Sequence, residues 1–151
     1  MEIQIKKIPK TEKEGLLISC YEVTDQVTEI VDFVKSRHGR LEGHLEGREF
    51  EIPLVDIFYL EAVDNRIYIY TEDRVYESRQ KLYELEQSLD GKNFLRISKS
   101  VIINLMKVKS IKPALNGRFL ASLKNGEEIM ISRKYVPDLK KRLKGDGKNE
   151  R

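Results

Sequence analysis

A short run of hydroxyl and basic side chains between apolar residues is the part of the sequence best suited to contact an anionic ligand. Residues 94–100, Phe-Leu-Arg-Ile-Ser-Lys-Ser, are followed at once by Val101-Ile102-Ile103. The apolar flanks predict a rigid backbone from which Arg96, Ser98 and Lys99 project. Serine and lysine side chains suit both phosphate oxygens and base edges. The alternative interpretation is an edge strand that its lysine protects against aggregation.

Residue patterns typical of catalysis or metal binding are missing from the sequence. It contains no Gly-x-Ser-x-Gly, no His-Glu-x-x-His and no phosphate-loop lysine motif. The single Cys20 falls in a predicted strand, where a buried structural role is favoured over a nucleophilic one. Of the two histidines, His38 and His44, the first is interpreted as a helix-dipole partner rather than a ligand. A carboxylate pair formed only on folding would leave no motif, but we expect no enzyme, no cofactor and no metal.

The charge distribution points to a polyanionic partner more clearly than the net charge of +3 does. Residues 1–90 hold 12 basic and 20 acidic residues, a net charge of −8, whereas residues 91–151 hold 16 and 5, a net charge of +11. A solvated basic tail is the alternative, yet the second part remains at +7 without Lys140, Lys141, Arg142 and Lys144. No apolar run approaches the roughly 20 residues of a membrane helix, and the first residues do not have the pattern expected of a signal peptide. With a single cysteine, these features predict a cytoplasmic protein that is not inserted in a membrane.

Hydrophobic spacing predicts a small extension followed by a mainly β domain. Residues 2–8 and 16–23 have β-like patterns, and a helix follows with Thr24 or Asp25 as its N-cap and Gly39 as its end. Residues 39–47 are interpreted as a linker that runs into a strand. We therefore expect a strand–strand–helix extension over 1–42, a domain over 43–145 and a frayed tail over 146–151.

Within the domain, alternating patterns predict strands separated by turns and two short helices. Strands are expected at 57–63, 67–71, 75–76 and 94–104, and then a meander over 108–115, 118–124 and 127–132. Ser78 is expected to cap a helix on which Leu82, Leu85 and Leu89 share a face. Asn116-Gly117 and Asn125-Gly126 each predict a type I′ turn, and a last helix begins near Val136-Pro137.

Several segments, in order, resemble the LytTR-type DNA-binding domain of bacterial transcription regulators. The resemblance spans residues 54–143 and is carried by four motifs. These are Asp56-Ile57-Phe58-Tyr59-Leu60-Glu61-Ala62 with Asp64-Asn65-Arg66 and an aromatic-rich strand, the leucine-bearing helix, Phe94-x-Arg96-x-Ser98-Lys99-Ser100-Val101-Ile102-Ile103-Asn104, and Asn125-Gly126 followed by Ile131-Ser132-Arg133-Lys134-Tyr135. The resemblance implies an α+β, mainly β fold of antiparallel sheets with short helices.

The resemblance also implies that loops, rather than a recognition helix, enter the grooves of double-stranded DNA. Carried over by position, the DNA-binding residues are Asn65, Arg66, Ser98, Lys99, Arg133 and Lys134. Candidate phosphate contacts are Arg96, Lys107, Lys109 and Arg118. Chemically, Arg133 can contact a guanine edge bidentately and Asn65 can pair with adenine.

The stretch before residue 43 is too short for a doubly wound receiver domain, which predicts the stand-alone kind of regulator. We expect it to bind promoter repeats as a homodimer or as paired copies, with its extension packing on the domain or dimerising. The rival hypothesis is a protein-binding module whose basic second half docks an acidic or membrane-protein partner. RNA is a less favoured ligand because no aromatic platform is visible.

Overall fold

The computed structural model describes residues 1–37 and 39–148. Three helices are present in this part of the chain: α1 (Asp25–Arg37), α2 (Leu82–Ser88) and α3 (Val136–Lys148). The strands are β1 (Arg40–Leu45), β2 (Arg48–Pro53), β3 (Ile57–Val63), β4 (Arg66–Thr71), β5 (Val75–Ser78), β6 (Phe94–Arg96), β7 (Val101–Asn104), β8 (Val108–Pro113), β9 (Phe119–Leu123) and β10 (Glu128–Ile131).

These strands form two antiparallel sheets. Seven strands lie in the order β2-β1-β5-β4-β3-β7-β6, and the other three in the order β10-β9-β8. The α+β, mainly β fold class is therefore confirmed, as are the strand at 57–63, the meander and the last helix.

Strands β3 and β7 connect two hydrophobic cores, because the side chains on their two faces pack into different cores. Ile102 and Leu60 point into one core, which α2 closes with Leu85. Ile103 points into a second core between the sheets, where it meets Leu139 of α3. Full burial of each such side chain contributes about 1.5–3 kcal/mol, so the shared strands fix the position of the second sheet and of α3.

Asn104, at the end of β7, is a fully buried polar side chain. Its Nδ2 donates to the carbonyl oxygens of Ile57 at 2.8 Å and Leu54 at 3.4 Å. Its Oδ1 accepts from the backbone N–H of Met106 at 3.0 Å. The last residue of the Arg-x-Ser-Lys motif thus joins the chain before β3 to the turn after β7, and its role is structural.

Tyr59 links the two sheets. Its hydroxyl donates to a carboxylate oxygen of Glu127 at 3.0 Å, and its ring stacks on Tyr70 with centroids 4.4 Å apart. Burial first, and then the hydrogen bond to Glu127, raises the pKa of Tyr59 above its usual 10.0.

We expect Tyr59→Phe to lower the free energy of unfolding by about 1 kcal/mol at neutral pH because one hydrogen bond is lost. The folded chain keeps the Tyr59 proton at pH values where the unfolded chain releases it. This contribution to stability is therefore complete below about pH 10 and is lost as the pH rises above it. Urea titrations across alkaline pH should show a shallower decline for Tyr59→Phe. The exposed Tyr21→Phe is the control, and equal declines in the two variants would contradict the assignment.

The prediction of strands at residues 2–8 and 16–23 is wrong. Residues 1–24 contain no strand and are almost entirely exposed, and Cys20, predicted to be buried, is exposed as well. Alternation indicates a preference for extended backbone, but a strand also needs a neighbour to bond with, and neither segment pairs with a strand of the described residues. Only the helix of the extension is packed: Thr24 Oγ1 caps α1 by accepting from Val27 N at 3.4 Å, and Val27 is buried.

Residues 94–104 form a hairpin rather than one strand. β6 and β7 pair antiparallel, and Phe94 lies opposite Asn104, so the polar middle of the segment is a turn. Residues 39–47 are not a linker either, because β1 and β2 form a hairpin there. β1 crosses the boundary expected at 42/43, so this boundary does not separate two structural units.

Smaller corrections concern turns and helix ends. Asn116 and Gly117 both have positive φ, as a type I′ turn requires. At the other Asn-Gly pair only Gly126 has positive φ. Its N–H donates to Leu123 O at 3.0 Å, which fits a type I turn followed by a left-handed residue.

Ser78 does not cap α2, since its hydroxyl accepts from Gln80 N instead. α3 continues through residues 146–148, which were expected to fray, and His38 lies outside the described residues.

Candidate nucleic-acid interface

Three loops that carry predicted site residues lie side by side on one edge of the molecule. The middle loop, residues 97–100, connects β6 to β7. On one side the carbonyl oxygen of Ser100 accepts from Ala62 N at 2.8 Å, just before the β3–β4 turn. On the other side the carbonyl oxygen of Ile97 accepts from Ser132 N at 2.9 Å, just before Arg133. We call this edge, formed by residues 64–66, 97–100 and 132–134, the basic edge.

The first loop is a two-residue turn between β3 and β4. Asp64 and Asn65 both have positive φ, 50° and 65°, which asparagine and aspartate tolerate better than other side chains. The turn presents Asn65 and Arg66 to solvent. Arg66 Nη1 donates to Glu77 Oε1 at 3.3 Å, which leaves the other guanidinium nitrogens available to a ligand.

The middle loop is held by the guanidinium of Arg96. Its Nε donates to Ser98 O at 2.7 Å, its Nη1 to Glu86 Oε1 at 2.9 Å, and its Nη2 to Lys99 O. The hydroxyl of Ser98 is engaged within the loop as well, accepting from Ser100 N at 3.2 Å. The side chain left to project from the loop is Lys99, which is exposed.

The third loop places Arg133 at the start of the turn between β10 and α3. Arg133 and Lys134 are exposed, and Lys134 Nζ lies 5.7 Å from the ring centroid of Tyr135. The stem of Arg133 crosses Gly117: a methyl group at Gly117 would lie 2.9 Å from Arg133 Cδ and 3.1 Å from its Cγ. Sequence reasoning missed this role of Gly117, for which the Asn-Gly pair was the available signal.

The candidate phosphate contacts are divided between the two ends of the strands. Arg118 follows Gly117 and is therefore close to Arg133; its Nε donates to Leu115 O at 3.0 Å. Lys109 is exposed on β8. Lys107 lies at the opposite end, with its Nζ 4.9 Å from the ring centroid of Phe58 near the start of β3. The structure therefore brings Arg118, but not Lys107, to the basic edge.

Residues 1–37 and 39–148 lack the features of two other kinds of site. They contain no group of three or more His, Cys, Asp or Glu residues that could hold a metal ion. None of the helices in this part of the chain is long and apolar enough to span a membrane.

The structure is thus a mainly β domain that gathers exposed basic side chains on one edge, which suits an anionic ligand. A family model described as the LytTr DNA-binding domain matches residues 29–144. The chain therefore belongs to the LytTR family of DNA-binding domains, and the resemblance seen in the sequence is confirmed. The match begins within α1.

Solved structures and relatives agree with this family. A LytTr DNA-binding domain from Bacillus cereus superposes with a TM-score of 0.66 at 28% identity, covering 70% of this chain and 96% of that one. The sensory transduction protein LytT of Bacillus subtilis is 32% identical over 88 residues, which are 58% of this chain and 36% of LytT. That of Enterococcus faecalis is 29% identical over 98 residues, 65% of this chain and 40% of LytT.

A third relative matches along most of its length. An uncharacterized HTH-type transcriptional regulator of Staphylococcus aureus is 27% identical over 128 residues, which are 83% of this chain and 86% of that protein. The chain thus spans about two fifths of the LytT proteins and most of the staphylococcal regulator. It is a DNA-binding domain of the kind found in transcription regulators.

Proposed function

We propose that the chain binds double-stranded DNA sequence-specifically, with the loops of the basic edge inserted in its grooves, and thereby regulates transcription in the bacterial cytoplasm. The observation that carries the proposal is the pair of backbone hydrogen bonds that join loop 97–100 to Ala62 on one side and to Ser132 on the other. They align three loops that are far apart in sequence, as contact with successive parts of one duplex requires.

Each exposed side chain of the basic edge has a distinct proposed role. Arg133 reads a guanine through its O6 and N7 atoms, and Asn65 pairs with adenine. Arg66 contacts guanine or phosphate, while Lys99 and Lys134 supply point charges to the backbone.

Two candidates have a different role in this proposal. Arg96 positions the middle loop, because all three of its nitrogens are bonded within the protein. The hydroxyl of Ser98 is bonded within the same loop, so Ser98 contributes to DNA binding by stabilising the conformation of the loop. Binding as paired copies on repeated half-sites would double the number of contacts.

Selection of bound duplexes from a random pool tests the proposal. We expect one enriched motif whose affinity falls steeply with salt, because several phosphates are neutralised. No enrichment at low salt, or binding of an acidic or membrane-protein partner without any DNA binding, would reject it.

We expect Lys99→Ala to weaken specific and unrelated duplexes by similar factors. A lysine that contacts phosphate carries no base information, and its removal should reduce the slope of log affinity against log salt by about 1. Fluorescence anisotropy at several salt concentrations measures this slope. Arg74→Ala, which removes an exposed cation from the β4–β5 turn at the far end of the strands, is the control and should leave the slope unchanged. A loss confined to the specific duplex would instead assign Lys99 to base recognition.

A further inference from the structure

Residues 1–24, which we call the arm, expose an unusual amount of apolar side chain. Ile3 is 86% exposed, Ile5 93% and Leu17 90%. The hydrogen bonds described for residues 1–23 join close neighbours within the arm, such as Gln4 to Glu2 and Glu12 to Pro9. Apolar surface of this kind commonly marks an interaction site.

The arm is also basic over one stretch. Residues 3–10, Ile-Gln-Ile-Lys-Lys-Ile-Pro-Lys, include three lysines and no acidic residue, a charge of +3. Ile3 and Ile5 alternate with Gln4 and Lys6, so in an extended conformation the two isoleucines share one face and the polar side chains the other.

A groove of about 380 Å³ lies at the end of the strands opposite the basic edge. It borders β2, which is the last strand on its side of the seven-stranded sheet. A strand in that position has backbone N–H and C=O groups that no neighbouring strand satisfies, and an extended peptide can add to it.

The walls of this groove complement residues 3–10 in both charge and polarity. The charged side chains that line it are Glu51, Asp56, Glu72, Asp73 and Lys107, a net charge of −3. Aromatic walls are provided by Phe50 and Tyr76, whose ring centroids are 5.3 Å apart, together with Phe58.

Negative charge is also concentrated on the exposed face of the β1–β2 hairpin. Glu42 lies directly opposite Glu51. The hydrogen bond that protonated Glu42 can donate to the neighbouring Glu49, followed by the charges of Glu49 and Glu51, raises the pKa of Glu42. Like charges placed opposite each other destabilise a sheet, and a cationic segment laid along β2 would relieve this repulsion.

We propose that residues 3–10 of one chain dock in extended form along β2 and the acidic groove of a second copy of the chain. A second copy is favoured over the same chain because the arm of the structure lies outside its own groove with its isoleucines exposed. Each chain offers one arm and one groove, so a two-fold dimer makes the contact twice. The groove is remote from the basic edge, so the dimer leaves both edges open.

Sedimentation of the full chain without DNA tests this proposal. We expect the mass to rise from monomer to dimer with concentration. Lys6→Glu/Lys7→Glu should raise the dimer dissociation constant at least about tenfold, because like charges would then face each other across the contact. Lys112→Glu/Lys141→Glu makes the same change in net charge on exposed residues of β8 and α3 and should have no such effect. A chain that stays monomeric, or a dimer insensitive to the arm variant, would overturn the proposal.

Mixing two variants shows whether the contact is between copies. Glu51→Lys/Glu72→Lys reverses the charge of the groove and should likewise raise the dimer dissociation constant. It also places a lysine opposite Glu42, which favours correct folding. Mixed with the arm variant, it should form heterodimers, because the reversed arm then matches the reversed groove. Failure to restore association, or hydrogen-exchange protection of residues 3–10 that does not depend on concentration, would reject docking on a second copy.

Discussion

Replacing Asn104 with alanine is expected to lower the free energy of unfolding by about 2–4 kcal/mol, since buried groups that lose their partners are costly. The variant leaves the carbonyl oxygens of Leu54 and Ile57 and the N–H of Met106 without the side chain that bonds them in the structure. The site is fully buried, so water replaces these bonds poorly. Chemical denaturation monitored by circular dichroism measures the change.

Asn125→Ala is the matched control for this prediction. Asn125 makes two hydrogen bonds of ordinary length to Glu127, but they are exposed and water can replace them. We expect a loss of about 1 kcal/mol or less there. Similar losses for Asn104→Ala and Asn125→Ala would show that burial of the Asn104 amide does not determine its contribution.

Arg133→Ala should weaken binding to the selected duplex by about 1–3 kcal/mol, roughly a 5- to 150-fold loss, and relax the preference at one base pair. A bidentate guanidinium–guanine contact has this magnitude. Binding to unrelated DNA should change much less. An unchanged preference at every position would remove Arg133 from the reading residues.

Gly117→Ala tests the same contact without altering Arg133 itself. A methyl group at Gly117 meets the arginine stem at 2.9 Å, so the guanidinium must shift and specificity should fall. Gly126→Ala is the control: Gly126 also has positive φ, but nothing lies within 4 Å of its added methyl group. Both variants therefore carry backbone strain, and only Gly117→Ala should change which duplexes are selected. An equal loss of specificity would mean that strain, not the position of Arg133, is responsible.

The fold was predictable wherever the apolar spacing of a strand agreed with the strands and cores that surround it in the structure. Ile57–Val63 and the meander show this, since apolar spacing and turn residues agree with the cores that cover them. Residues 2–8 have an equally clear alternation but no described partner, and alternation alone does not reveal this difference. The β6–β7 turn was missed because Ile97, a buried apolar residue, sits inside it without glycine, proline or asparagine to mark it.

For the site, the sequence indicated the basic and hydroxyl residues that can contact DNA, whereas the separate role of each residue depends on the fold. Arg96 and Lys99 both looked like exposed cations suited to phosphate. Only folding brings Glu86 and two loop carbonyl oxygens around the Arg96 guanidinium, which leaves Lys99 to project alone. The contact between Gly117 and Arg133 depends on the pairing of β9, which follows Gly117, with β10, which precedes Arg133.

The two backbone bonds that align the loops of the basic edge bear on how such a protein can acquire new targets. Main-chain bonds are indifferent to side-chain identity, so exchanges at Arg66 or Arg133 leave the distance between the loops unaltered. Base preference can then diversify one position at a time while the spacing of contacted bases stays constant. A combinatorial library restricted to these positions should therefore yield variants that recognise different base pairs but protect DNA segments of the same length.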